Sequence, residues 1–323
     1  MRPSSFTAGH RLWVAAMLAV FGVMVGLRYE TEKGLTALIQ FDVMFAERSN
    51  PVLQTIPHHV RSPTGFDGQF YAQIALDPLL RDPVTKQALD APSYRARRIL
   101  MPLMSYVVGF GRPDWIIQVY PFINVACWLL LLWLILTRLP PANAFQRACL
   151  TALLFTSGLI ETVRLALPDL PATVLMLLPY FLPLGAATAA LTFACACLAR
   201  ETSALGVVAF FVYRTPSEKP LHARVGWAVS ALLPLAAWMA YVHSRFGADT
   251  LTGGNLALPL TAAAHTLRTS AVRFATELSP AAIGTVAAII GLHLQAAYLW
   301  LNRNWADPFC PQNPKTPIII IFV

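Results

Sequence analysis

Between Asp114 and Arg138 the chain runs for 23 residues, WIIQVYPFINVACWLLLLWLILT, without one charged side chain. A stretch of that length and character crosses the hydrocarbon core of a bilayer, ~30 Å thick, as a helix. In lipid the backbone must satisfy its own hydrogen bonds, which restricts spanning structures to helices and closed barrels. Further apolar runs lie at 12–27, 148–163, 170–184, 185–199, 202–213, 225–242 and 281–301. Together they predict an all-α polytopic membrane protein with about eight transmembrane helices. Some of the middle runs fall below the ~17 residues that a span needs. Pro168, Pro171, Pro179 and Pro183 punctuate them, so tilted, bent or partly re-entrant helices are expected there. Composition leads to the same class. Of 323 residues, 56% are hydrophobic and 12% charged, about half the ~25% charged share of a soluble domain.

The formal net charge is +8. In a membrane protein such an excess belongs to cytoplasmic loops and their contact with anionic lipid, so membrane lipid is the expected partner and nucleic acid is not. Five cysteines form no CxxC pair and no Cys/His cluster, which supports neither structural zinc nor a disulfide framework; no metal and no cofactor is expected. The run at 12–27 follows Arg2, His10 and Arg11 and reads as an uncleaved signal anchor, because no small-x-small site precedes Arg28.

Placing Arg2 and Arg11 in the cytoplasm also puts Arg138, Arg147, Arg214, Lys219, Arg224 and Arg303 there by alternate crossings. Arg164, Arg200, Arg245, Arg268 and Arg273 fall outside. The long 28–114 segment is then the first extracytoplasmic loop of a multi-pass inner- or plasma-membrane protein. Within it, Gly34–Arg48 and Phe66–Leu76 read as short amphipathic helices. Ile99–Phe110, too short to span and preceded by Arg95, Arg97 and Arg98, reads as a helix lying in the interface. Residues 1–302 form one transmembrane domain on this reading. Residues 303–323 differ in character from everything before them, as a truncated or frame-altered end would, and carry no assigned function.

The loop holds the stretch TGFDGQFYAQIALDP, residues 64–78, with an aspartate between two glycines and among three aromatics. In a helix, Asp67, Phe70, Tyr71 and Ile74 share one face. A carboxylate on an aromatic face is partly desolvated, which raises its pKa toward that of a general base. Asp67 would equally serve as an N-cap, with Gly65 and Gly68 making the bend. The two roles are compatible, and the sequence leaves both open.

The pattern DG-aromatic-Tyr-x-x-Ile-Ala resembles that of the PIG-V-like mannosyltransferases and their bacterial relatives within the GT-C superfamily of membrane glycosyltransferases. RRILMPLMSY (97–106), ETVRLALPDLPATVL (161–175) and LARETSAL (198–205) are similar to further elements of that family, and the likeness runs loosely over residues 1–240. The resemblance implies a GT-C-like bundle that takes a sugar from a lipid-linked donor, a polyprenyl phosphate, and gives it to an extracytoplasmic acceptor. It implies Asp67 as the acid beneath the active site. Arg164 and Arg200, at the outer ends of spans, suit the donor phosphate, since guanidinium binds phosphate oxygens bidentately. Arg95, Arg97, Arg98 and Tyr71 offer further contacts, and Asp169 would line the cavity or cap the next helix. Each arginine has the alternative reading of interfacial snorkelling. A transporter or flippase-like protein and a non-catalytic assembly protein on the same scaffold are the competing classes. Oligomeric state is not legible.

Among the remaining polar residues, Glu161 is spaced to pair with Arg164, and Glu201 stands in an apolar run where a charge is functional by default. His58 and His59 read as loop residues, Asp77 and Asp82 as turn initiators before proline, and Gly253-Gly254-Asn255 as a turn.

Overall fold

The computed structural model describes residues 8–61, 65–214 and 220–247, together with positions 268, 269, 272 and 276. Compactness divides the chain into two units, Met1–Asp249 and Thr250–Val323. The first is described below. The apolar run at 281–301, the turn at 253–255 and the 303–323 tail lie outside the described residues.

The described residues of the first unit are mainly helical, with one parallel pairing of two residues with two, Phe41–Asp42 with Val60–Arg61, and an isolated antiparallel bridge between Glu30 and Gly34. In chain order its helices are α1 Ala8–Gly26, α2 Val43–Ala46, α3 Pro51–Gln54, α4 Gly68–Leu76, α5 Pro83–Gln87, α6 Pro92–Ala96, α7 Leu100–Val108 and α8 Pro113–Arg138. There follow α9 Ala144–Leu154, α10 Ser157–Arg164, α11 Asp169–Phe181, α12 Ala186–Ala199, α13 Ala204–Val208 and α14 Leu221–Phe246. A 3₁₀ turn over Glu201–Ser203 leads into α13, and a π-helical stretch, Ala209–Arg214, follows it.

Three described helices, α1, α8 and α14, are long and apolar enough to cross a membrane. The expectation of about eight spans is not met by the other described runs. At 1.5 Å per residue, α11 and α12 are each only about 20 Å long. The 148–163 run is two helices, α9 and α10, because the chain turns at Phe155 and Thr156. The carbonyl left over at the end of α9, that of Leu154, accepts a 3.0 Å hydrogen bond from Trp128 Nε1 of α8, and Thr156 caps α10. A buried indole therefore stabilises a break that periodicity alone would carry through.

The central post is α8, with 56% of its apolar stretch buried against 17% for α1 and 22% for α14. One core joins α1 to α8, α10 and α11, with Phe21 of α1 stacked on Trp128 at 3.8 Å between centroids. A second core joins α12, α13 and α14 around Phe193, Val207 and Phe211. A third lies between α8 and the segment linking α1 to α8, and is built on Ile39, Leu53, Tyr71, Ile74, Met101 and Tyr120.

The described residues of that linking segment, 27–61 and 65–112, form a packed module. The predicted helix Phe66–Leu76 is α4, and Ile99–Phe110 is α7. The predicted helix Gly34–Arg48 is not one helix. It breaks into a 3₁₀ turn at Thr36–Leu38, the two-residue strand and α2. Gly34 and Gln40 both take left-handed backbone conformations, and Asp42 is extended and caps α2 through Met44 N. Tertiary bonds hold Gln40 there, since its amide donates to Arg164 O at 3.2 Å and accepts from Arg61 Nη1 at 2.6 Å. Local amphipathicity lost to long-range hydrogen bonding.

Three long helices direct one end each at this module. Gln118, near the start of α8, holds Leu35 N and Lys33 O just beyond α1. Near the end of α14, Trp238 donates to Ala96 O, Tyr241 to Leu79 O and Arg245 to Leu80 O. The module thus sits on a single end of the bundle.

Candidate active site

The site grows from α4, whose residues from Gly68 to Ala75 are all buried. Its two glutamines are polar inside the core because they serve loop backbone. Gln69 accepts from Asp42 N at 3.0 Å and Gln73 from Asn50 N at 2.9 Å. The glycines on either side of Asp67 are explained by approach rather than by flexibility. A Cβ on Gly68 would stand 2.2 Å from Leu165 O, and one on Gly65 would stand 2.6 Å from Gln40 O. The start of α4 therefore lies directly on the 165–168 turn between α10 and α11. That turn is fixed from α8 as well, by Tyr120 OH to Ala166 O at 2.9 Å and Asn124 Nδ2 to Leu167 O at 3.1 Å.

Asp67 occupies the N-cap position of α4, but its side chain makes no capping bond. The carboxylate instead pairs with Arg95 Nη1 at 2.6 Å and stays 46% exposed, so it is half-open rather than sealed among aromatics. Arg95 is buried. It donates from Nε and Nη2 to the two oxygens of Asp90, at 2.9 and 2.8 Å, and lies over the rings of Phe70, Tyr71 and Tyr94. Burial opposes its charge, yet hydrogen bonds to Asp90 and Asp67 outweigh that cost and raise its pKa above the ordinary arginine value. Burial likewise pushes Asp90 up, but the fork from Arg95 and that charge prevail, and its carboxyl titrates below the ordinary range.

Arg98 forms the second cluster. It donates to both oxygens of Glu201, at 3.1 and 3.2 Å, to Tyr71 OH at 2.8 Å and to Tyr94 OH at 2.9 Å. This ties the module to the turn after α12 and satisfies the charge at Glu201. Tyr71 is 1% exposed and sits behind Arg98 in the interior. Burial raises its pKa, with the two arginine charges acting the other way.

A third pair joins Arg200, just past α12, to Asp169, the first residue of α11. Asp169 makes no side-chain cap. The end of α12 thereby meets the start of α11, and the two run antiparallel. Arg164 pairs with Glu161 at 2.6 Å, the spacing expected on one helix. Neither Arg164 nor Arg200 pairs with Asp67; each has a carboxylate of its own. Arg97 is half-buried and takes part in no ion pair or side-chain hydrogen bond among the described residues. Sequence reasoning missed Asp90 and Tyr94. The only signal was local: Asp90 stands two residues before Pro92 and five before Arg95, within reach of a side chain folding back over the first turn of α6.

Next to these clusters lies an apolar groove of about 330 Å³, lined by Leu79, Ile99, Leu103, Leu198, Pro234 and Trp238 among others. Ile99 follows Arg98, and Leu198 precedes Arg200 by two residues. Among the described residues, no three His, Cys, Asp or Glu side chains group as metal ligands. Comparison with family models, with curated proteins and with solved structures finds no match to this chain.

Proposed function

We propose that the protein is a GT-C-like glycosyltransferase of the plasma or inner membrane. It would move a sugar from a polyprenyl-phosphate donor to an extracytoplasmic acceptor, with the 27–112 module on the extracytoplasmic side. The observation that carries this reading is Asp67. It begins a helix without capping it, is half-exposed, and is paired with a buried arginine.

In this mechanism the acceptor hydroxyl loses its proton to Asp67 as its oxygen attacks the anomeric carbon from the face opposite the phosphate. The bond from anomeric carbon to phosphate oxygen breaks, and its electron pair leaves with the polyprenyl phosphate. Developing charge on that phosphate calls for cations where water is scarce. Among the described residues Arg97 has no ion-pair partner to give up, and Arg164 and Arg200 are part-exposed with one carboxylate partner each. The apolar groove would take the isoprenoid chain, since Ile99 and Leu198 place its wall beside Arg98 and Arg200 in the chain.

The test is transfer by purified protein given a panel of lipid-phosphate sugars. Removing a general base costs roughly 10²–10⁴-fold, so Asp67→Asn should lower turnover by that factor with the donor still bound. Equal transfer by both proteins would remove Asp67 from this role, and donor release on the far side without transfer would favour a flippase.

A further inference from the structure

We propose that α7 does not lie flat on the membrane. It descends along α8 into the leaflet next to the module, with its outer face packed against lipid acyl chains. This holds whether or not the protein is a transferase, because it rests on how α7 and α8 are placed.

The exposed large apolar side chains of α8 form one stripe. Trp115, Phe122, Leu129 and Trp133 follow one another at spacings of seven, seven and four residues, which keeps them on one helix face. The two tryptophans stand 18 residues apart, about 27 Å at the helical rise of 1.5 Å per residue. That is close to the ~30 Å hydrocarbon core of a bilayer, and tryptophan collects at its two boundaries. Trp115 therefore marks the boundary on the side of the module.

Two anchors fix the direction of α7. Beyond its end, a Cβ on Gly109 would stand 2.9 Å from Ile116 N, so the turn into α8 lies on the first turns of that helix. At its start, Leu100 packs with Ala172 of α11 and Ala199 of α12. The approach to α11 is level with Asn124 of α8, whose Nδ2 bonds Leu167 O. Asn124 lies 11 residues into α8, about 16 Å along its axis, and the nine residues of α7 rise about 13 Å over the same interval. Met101 accordingly shares a core with Ile117 and Tyr120.

Nothing on the outer face of α7 suits water. Its sequence, LMPLMSYVV, carries no charge, and its one serine is buried and bonded to Met101 O at 2.8 Å. Met104, Val107 and Val108 are exposed instead, at the spacing of a single face. A helix that is apolar on both sides is covered on both. The module core covers one side of α7, and the other adjoins the outward stripe of α8, which faces lipid. Groups suited to headgroups gather at the turn, where Phe110 is exposed and Arg112 lies over the Trp115 ring at 5.7 Å. Ile99 and Leu103 line the apolar groove, so this placement sets the groove at acyl-chain depth.

The test measures depth along α7. Single-cysteine forms of the full-length protein, Glu47→Cys, Met104→Cys, Val107→Cys, Phe110→Cys and Phe122→Cys, carry a nitroxide in vesicles of phosphatidylcholine and phosphatidylglycerol. Collisions with oxygen, which concentrates among acyl chains, are compared with those of a water-soluble nickel chelate. The oxygen-to-nickel ratio should rise in the order 110, 107, 104, match that of position 122 at position 104, and exceed that of position 47 several-fold at 104 and 107. Equal ratios at all three sites would lay α7 flat in the interface. Ratios at 104 and 107 as low as at 47 would put water on its face. Collision with neither reagent would mean that protein covers it, the 281–301 run or a second copy. Each of these three results overturns the proposal.

Discussion

Asp67 and Asp169 each stand at the start of a helix, and neither caps it. Both turn to an arginine from another segment, and the two arginines differ. Arg95 is 8% exposed, forked by Asp90 and covered by three rings. The Arg200 side chain is 38% exposed and has one carboxylate partner. The contrast separates a cation that sets geometry from one free to change partner. A buried arginine cannot leave without stranding two carboxylates, whereas a part-exposed one exchanges its partner for water or a phosphate at small cost. In the proposed enzyme these become two jobs, with Arg95 orienting the base and Arg200 answering the donor.

The largest expected effect breaks the platform on which Asp67 stands. Gly68→Ala places a methyl against the backbone carbonyl of Leu165, so α4 and the 165–168 turn must part. Overpacking of this kind costs about 3 kcal/mol, and thermal unfolding in detergent should show it. Gly158→Ala, where a Cβ meets nothing within 4 Å, is the control, with no loss of stability.

Next comes the comparison itself. Arg95→Ala removes a buried cation that holds two part-exposed carboxylates and should cost about 1.5–3 kcal/mol; Arg200→Ala should cost about 1 kcal/mol or less. Equal losses would erase the distinction between the two pairs.

A smaller effect follows from pH. Asp90 titrates below its ordinary value because Arg95 stabilises its charged form. Its contribution is therefore fully present above the unfolded carboxylate pKa, about 3.9, and is lost as pH falls through the lower folded value. Melting temperature should drop on acidification below about pH 4, and Asp90→Asn should lose less over that window. The smallest effect is Tyr94→Phe, which removes one of the hydroxyls on Arg98 and should cost about 1 kcal/mol, in the same melting assay.

Much of the scaffold was legible because apolar runs bounded by charge report helices: α1, α8, α11, α12 and α14 fall where the runs do. Local chemistry was legible too. Glu161 pairs with Arg164 as their spacing predicts, while Asp82, read as a turn initiator, caps the short helix α5 through Val84 N. What could not be read were choices made across the chain. Trp128 reaches Leu154 and divides α9 from α10, and Gln40 gives up a helical conformation to bond the end of α10. Asp67 had candidate arginines at 95, 97, 98, 164 and 200, and nothing in their spacing chose Arg95. The aspartate that fixes that choice, Asp90, looks like a turn residue until the fold brings the three together.

All of this chemistry requires the module to face away from the cytoplasm, and sidedness is the most direct test. In a protein lacking native cysteines, Glu47→Cys on the module and Phe145→Cys on α9, past the far end of α8, are exposed reporters. In sealed right-side-out vesicles, a membrane-impermeant maleimide should label residue 47 at once and residue 145 only after the membrane is opened. Labelling at 145 first, with 47 protected, would put Asp67 on the wrong side and contradict the account.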